Sequence, residues 1–335
     1  MKRRIILIFM CAFLLMLMSC SNTNVKVYDD YFEIDEATKA GKIYMEELGL
    51  DNKNNIDSYN LEKVTEAANY VILDYKVIRK NPNNIDIDLD SFNIKVEKKE
   101  GNYEVSKIKS KNSMRVYTDK NNLRIRDEET GMSELLLRER DIPREVYPKD
   151  NEIMINKVNV ASGKYYLLAL DTKGEKVGIV NKNGNQYFIM LAQINNSEET
   201  IGESSDGGNE KTDTNSSLDY SSLEDALEKP IANKITPYDL IQINIDKLIF
   251  SADGDFLLVH TNDNNSGQLL IYKNPSGEKI DMNLDEIFPS NQYSLDIRKV
   301  DETGTYIDVK AITEVKEKEG LYKFEFNSRK IFKQE

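Results

Sequence analysis

The sequence predicts a mainly β fold preceded by a small α+β module. Three observations predict it. Apolar residues at helical spacing are confined to about residues 35–71. From Tyr70 onward the apolar period switches to two, the spacing of a half-buried strand. Beyond about Arg126 helical patterns nearly vanish, and a glycine-bearing turn followed by an aromatic-led apolar strand recurs three times.

In chain order, residues 35–48 place Ala37, Ala40, Tyr44 and Leu48 on one helical face, and Gly49 stands where a helix would stop. The spacing predicts a second helix from about Asn60, with Leu61, Val64, Ala67, Ala68 and Val71 on one face. Residues 85–96, 103–108, 114–117 and 123–125 read as short strands. Glu100-Gly101-Asn102 and Asp119-Lys120-Asn121-Asn122 supply the turns between them. Two helices before an antiparallel meander resemble, in element order only, cystatin-like modules.

The recurring unit is Asn159-Val160-Ala161-Ser162-Gly163-Lys164-Tyr165-Tyr166, then Ile249-Phe250-Ser251-Ala252-Asp253-Gly254-Asp255-Phe256, then Val300-Asp301-Glu302-Thr303-Gly304-Thr305-Tyr306. A further strand follows each, at 177–180, 269–272 and 321–326. The middle copy, Ser251-Ala252-Asp253-Gly254, resembles the repeat of TolB-type and related WD-repeat propellers, in which Ser-x-Asp-Gly opens the inner strands of a blade. The first copy lacks the Asp and the third lacks the Ser. Gly254 and Gly304 are 50 residues apart, near one blade; Gly163 and Gly254 are 91 apart, near two once an insertion is allowed. That insertion is 195–222, Ser, Asn, Gly, Asp, Glu and Thr with scarcely any apolar side chain, and it is expected to be a flexible surface loop. A brief helix is expected at 223–228, capped by Ser222 and stopped by Pro230. The resemblance implies a β-propeller-like domain of about four blades over 127–335, with a β-sandwich as the alternative, after an α+β module over 35–126.

The first twenty residues resemble a bacterial lipoprotein signal: Lys2, Arg3 and Arg4, an apolar run over 5–16, then Ser19-Cys20. The run is shorter than the ~20 residues a spanning helix needs. The resemblance implies cleavage between Ser19 and Cys20, removal of 1–19 with Cys11, and fatty acylation of Cys20 at the head of a 20–34 tether. The expected place is the extracytoplasmic side of the cell membrane, or an outer membrane where the source has one. No other Cys would remain, so the body is held by its core alone. Without residues 1–19 the chain has 42 Lys and Arg against 58 Asp and Glu, a net charge of −16. That sign opposes nucleic acid and anionic lipid head groups as partners, so the lipid on Cys20 does the anchoring.

Catalytic patterns are scarce. One histidine, His260, excludes two-His zinc motifs, and its place beside Phe256 and Leu258 on a strand face predicts a structural role. Ser106 to Lys109 and Ser276 to Lys279 have Ser-x-x-Lys spacing but lie in strand and turn context without the partner motifs of penicillin-binding enzymes. Asp86, Asp88, Asp90 and Glu97 mimic a calcium loop, yet Ser91 stands where glycine is required, and Ile85, Ile87 and Leu89 alternate with them as in a strand with a solvated acidic face. Asn262-Asp263-Asn264-Asn265 reads as a tight turn. The 18 Tyr are read as strand residues.

These features predict a non-enzymatic, lipid-anchored envelope protein that presents its β domain to a protein, peptide or glycan, with no cofactor. An envelope hydrolase with carboxylates converging in the fold and a solute-binding lipoprotein of a transporter are the alternatives. Arg138, Arg140 and Arg144 cluster on an acidic chain as a candidate dock for an acidic partner or glycan, against a connection held by local ion pairs.

Overall fold

The computed structural model describes residues 32–51, 55–81, 85–148, 157–194, 228–263, 266–301 and 303–334. The signal, Cys20 and the 195–222 insertion lie outside them, as do 223–227 of the expected short helix. Among the described residues no helix is long and apolar enough to cross a membrane.

Helix α1 (Ile34–Leu50) is the first expected helix. Ala37 and Met45 are fully buried, with Ala40, Tyr44 and Leu48 packed beside them. Gly41 lets the helix lie close to the sheet, since a Cβ there would stand 2.2 Å from Leu73 Cδ1. Gly49 does not stop the helix; it lies in the last turn against the Tyr59 ring.

The second expected helix is a strand. β1 (Ile56–Ala67) pairs antiparallel with β2 (Tyr70–Lys80) across a two-residue turn at Ala68-Asn69. The helical spacing is coincidental, because Val64 is exposed while Tyr59 is buried, and pairing with β2 outweighs local propensity. The meander continues through β3 (Ile87–Lys99), β4 (Asn102–Asp119), β5 (Asn122–Asp127) and β6 (Ser133–Arg138). The two strands expected at 103–108 and 114–117 are both parts of β4, whose middle, 107–111, is exposed and polar and so hides its continuity. β2 and β3 bury opposite faces at their two ends. Val71, Leu73, Tyr75, Ile94 and Val96 pack under α1, whereas Ile78, Ile87 and Leu89 join the core beyond.

The short pair β7 (Glu145–Val146) and β8 (Val158–Asn159) leads into β9 (Lys164–Leu170), β10 (Lys176–Asn183), β11 (Gln186–Ile194) and β12 (Ala232–Ile241). A second four-stranded sheet follows: β13 (Ile245–Phe250), β14 (Phe256–Asp263), β15 (Ser266–Lys273) and β16 (Glu278–Lys279). After α2 (Leu284–Ile287) come β17 (Tyr293–Val300), β18 (Gly304–Ala311), β19 (Gly320–Glu325) and β20 (Lys330–Lys333). This last meander joins the first through one parallel bridge, Ser58↔Val300 between β1 and β17, so a single ten-stranded sheet runs from β20 to β6. The expected division at 126/127 falls within β5.

The fold is mainly β and propeller-like: β3–β6, β9–β12, β13–β16 and β17–β20 are each a sequential meander stacked face to face in chain order. β11 shows why. Phe188, Met190 and Ala192 pack toward β3–β6, while Tyr187, Ile189 and Leu191 pack toward β13–β15. A strand covered on both sides reads as an unbroken apolar run. The first strands of successive meanders touch, β3 with β9 and β9 with β13, and β1 touches both β13 and β17.

The structure also re-phases the repeat. Gly254 lies between the first and second strands of its meander and Gly304 opens the second strand of its own, but Gly163 precedes a first strand. The counterpart in β9–β12 is Gly174, in the turn Asp171-Thr172-Lys173-Gly174; its φ of 73° matches 74° at Gly254. Gly174 and Gly254 are 80 residues apart, 47 with 195–227 set aside, against 50 for the next pair. These turns bind neighbouring sheets together. Thr172 Oγ1 donates to Ala252 O (2.8 Å), Lys176 Nζ to Gly254 O (3.0 Å) and Asn274 Nδ2 to the same oxygen (2.9 Å).

Asp171 Oδ1 accepts from the Glu175 and Lys176 amides, but Oδ2 is buried without a hydrogen-bond partner among the described residues. Burial raises this carboxyl above its ordinary value of 3.8, outweighing the amides and the Lys176 charge. The folded state therefore holds the proton more tightly than the unfolded chain, and this group's contribution to stability falls as pH rises from the ordinary value through the raised one. Asp171→Asn keeps an Oδ1 acceptor and removes the buried charge. Thermal melts from about pH 4 to about pH 8 are expected to show the variant gaining on the parent with rising pH, by about 1 kcal/mol at the upper end. Parallel curves would refute this.

Candidate functional site

The largest of three hollows, about 680 Å³, opens where the β4–β5 turn, the start of β9 and the β10–β11 turn converge. Lys120 stands in the first turn with a left-handed φ of 54°, and Gly184 in the last with 57°. Gly163 brings β9 against β10; a Cβ there would lie 2.6 Å from Lys182 O. Asn183 Nδ2 fastens the approach by donating to Ser162 O (2.6 Å). Lys164 and Lys182 are thereby paired across adjacent strands.

Like charges directly opposite repel. Neither Lys164 nor Lys120 has a carboxylate within 4 Å among the described residues, and Glu139 is the one acidic residue lining the cleft. Lys182 Nζ lies over the Tyr166 and Tyr187 rings, at 4.6 and 4.8 Å. A hydrogen bond to Tyr187 raises its pKa further. Tyr165 also lines the cleft, its hydroxyl buried without a partner among the described residues, and burial followed by the Glu139 and Asp141 charges holds it above the ordinary phenol value. Lys120, Lys164 and Lys182 thus line the cleft on a chain of net charge −13, with the Lys182 ammonium held over the two tyrosine rings.

The arginine cluster divides. Arg138 is held by local contacts, the alternative weighed against a dock: Nη2 donates to Glu228 O, and Nη1 lies 3.6 Å from Asp141. Glu228 in turn receives Arg124 through both carboxylate oxygens (2.9 Å each) and the Leu135 amide (2.9 Å). This knot fixes the chain where it re-enters the described structure. Arg140 is 64% exposed, with Asp141 at 4.0 Å. Arg144 donates to Glu139 O (3.4 Å), and its Nη1 is buried without a partner among the described residues, next to the cleft wall. Ser19 and Cys20 lie outside the described residues.

His260 is buried in β14 as a structural residue, Nδ1 against Asp246 and Nε2 against Leu295 O, tying β13 to β17. The calcium-like carboxylates do not converge, and their face is less solvated than expected. Asp88 pairs with Arg115 (2.7 Å) and Glu97 with Lys95 (2.5 Å), while Asp90 is fully buried beside Arg79. Ser106 Oγ donates to Lys95 O within the sheet and Ser276 Oγ to Lys273 O in a turn, so neither faces its lysine as a nucleophile would. Asn262 and Asp263 end β14 at a hairpin, with 264–265 outside the described residues.

The other hollows hold carboxylates that are already engaged. In one of about 320 Å³ between β1, β13 and β17, Asp296 pairs with Lys247 (2.6 Å) and Asp57 with Lys80 (2.6 Å). In one of about 470 Å³ beside β15, Asp281 and Asp285 accept from the Asn283 and Ser290 amides. The two carboxyls that burial pushes upward, Asp90 and Asp171, line none of the three. A general acid raised toward neutrality inside a cleft is therefore not found among the described residues.

No protein-family model matches the chain, and no curated protein matches it significantly. Among solved structures it is similar to TolB from Acinetobacter baumannii at 8% identity, covering 81% of this chain and 55% of that one, with a TM-score of 0.32. It is similar to Hsv2 from Kluyveromyces lactis at 10% identity, covering 83% and 73%, TM-score 0.28, and to an acylaminoacyl peptidase at 11%, covering 82% and 39%, TM-score 0.29. The chain thus spans just over half the length of TolB. Likenesses at these scores carry no argument about family or activity.

The sequence singled out none of Lys120, Lys164, Lys182 and Tyr165 as a site. They come from three separate turns and strand ends, and only the stacking of β3–β6 on β9–β12 brings them together.

Proposed function

We propose that this chain is a lipid-anchored, extracytoplasmic binding module that engages an acidic surface of an envelope protein through the basic cleft. One observation carries the binding site: Lys120, Lys164 and Lys182 line a cleft with a single carboxylate, on an otherwise acidic body. An anionic group placed there relieves the Lys164–Lys182 repulsion. The anchoring is supported by Lys2-Arg3-Arg4, the apolar run and Ser19-Cys20. Sequential meanders with two α-helices of 17 and 4 residues among the described residues favour this over a two-lobed solute receptor of alternating strands and helices. Engaged carboxylates in the hollows favour it over a hydrolase.

The test is fluorescence anisotropy of a labelled oligoglutamate peptide against the protein and its Lys120→Gln/Lys164→Gln variant. Expected are unchanged melting, about tenfold weaker binding in the variant, and loss of the difference at high salt. Equal affinities, or no binding by the parent, would overturn the proposal.

A further inference from the structure

A second docking position, of opposite charge and independent of the basic cleft, lies on the outer edge of β15. β14 pairs with β15 along its whole length, but β16 covers only Tyr272 and Lys273. The Ile280 amide makes one further bond, to Ile271 O (2.8 Å), and then the chain turns away. Asp281 Oδ1 accepts from the Asn283 amide (3.0 Å), Asn283 takes a left-handed φ of 47°, and α2 begins. At the other end of the edge, the Gly267 amide donates to Ser294 Oγ (2.9 Å).

Main-chain N–H and C=O groups of one strand residue point to the same edge, and successive residues alternate. Gly267 and Ile271 both face outward, so Leu269, midway between them, also presents its N–H and C=O outward, into the hollow of about 470 Å³. Leu284 and Phe288 supply apolar wall, and Asp281 and Asp285 stand exposed at the rim with Lys279 as the one cation. The opening between the two capped positions is about 13 Å of strand, room for three or four extended residues.

We propose that this edge takes up an extended, basic segment of a protein partner as an added strand, its main chain pairing with Leu269 and a Lys or Arg reaching Asp281 and Asp285. Strand addition supplies main-chain hydrogen bonds as the common affinity, and the rim charge selects the side chain. The −13 charge of the chain attracts the same class of segment from a distance.

The probe is the synthetic pentamer acetyl-Val-Lys-Val-Arg-Val-amide, with two controls: the same peptide N-methylated at the central Val, and one with Glu in place of both basic residues. Hydrogen exchange of the 266–273 stretch in the full chain is the readout. At saturating pentamer the Leu269 amide is expected to exchange at least tenfold more slowly, while both controls leave it unchanged. Asp281→Asn/Asp285→Asn keeps both oxygen acceptors and is expected to weaken the pentamer about fivefold with an unaltered melt. No protection at millimolar pentamer, or equal protection by the N-methylated peptide, would overturn strand addition. Equal protection by the Glu peptide would overturn the choice of a basic partner. Both outcomes leave the oligoglutamate result at the basic cleft unaffected.

Discussion

Cys20→Ala is expected to leave residues 1–19 on the chain and to abolish lipidation, an all-or-none change. Intact mass of protein purified from its own cells checks it. The parent is expected to lack 1–19 and to carry the added mass of its acyl chains on Cys20, and it should partition into a detergent phase. The variant should keep the full-length mass with no lipid. The effect is large because the net charge of −16 left without residues 1–19 is repelled by anionic head groups, so attachment of the processed chain would rest on the lipid. Two or three acyl chains on one Cys give durable attachment where one gives only marginal binding. A parent protein of unprocessed mass would refute the lipoprotein assignment and leave both docking proposals standing.

Gly267→Ala is expected to cost about 3 kcal/mol, lowering Tm by roughly 4–5 °C. The added Cβ would stand 2.2 Å from Leu295 O and 2.6 Å from His260 Nε2. Neither neighbour has room to yield. Leu295 is a buried backbone position in β17, and His260 is pinned by Asp246 on its other nitrogen. Relief requires separating β14–β15 from β17, which opens the core formed by Leu258, Leu269, Ile271, Leu295 and Ile297. Gly131→Asn is the control, at φ 72° with nothing within 4 Å of its Cβ, and Asn tolerates that backbone; a change under about 0.5 kcal/mol is expected. Chemical denaturation of both variants checks the pair. Comparable stabilities would show that the two sheets are not in the tight contact described.

Some elements were legible because their signal is local. The α1 stripe of Ala37, Ala40, Tyr44 and Leu48 needs only one apolar face, and the alternation of Ile87 and Leu89 with Asp88 and Asp90 needs only one strand. The misread segments are those whose partner is remote. Leu61, Val64 and Ala67 mimic a helix because their strand pairs on one side with β2 and touches β17 on the other, more than two hundred residues away. Gly163 passed as a blade turn because Gly-Lys-Tyr-Tyr looks like Gly-Asp-Phe-Leu, and only the sheet order shows that it opens a first strand while Gly174 holds the equivalent turn. The local ion pair of Arg138 with Asp141 was legible, whereas its bond to Glu228, ninety residues on and beyond the insertion, was not.

By itself the sequence determined the properties that depend on composition and short-range order: a mainly β chain, the first of its two expected leading helices, an acidic body, a structural histidine on a strand, and the expectation of a lipidated Cys20. These need no knowledge of which strand lies beside which. The tertiary structure decided everything that depends on convergence: the ring of stacked meanders joined through β1 and β17, the three lysines around one cleft, and the bare edge of β15. The physical reason is range. Periodicity and turn chemistry act over a few residues, whereas Coulomb repulsion between Lys164 and Lys182, or the open hydrogen-bonding edge at Leu269, exists only once distant segments have been packed into contact.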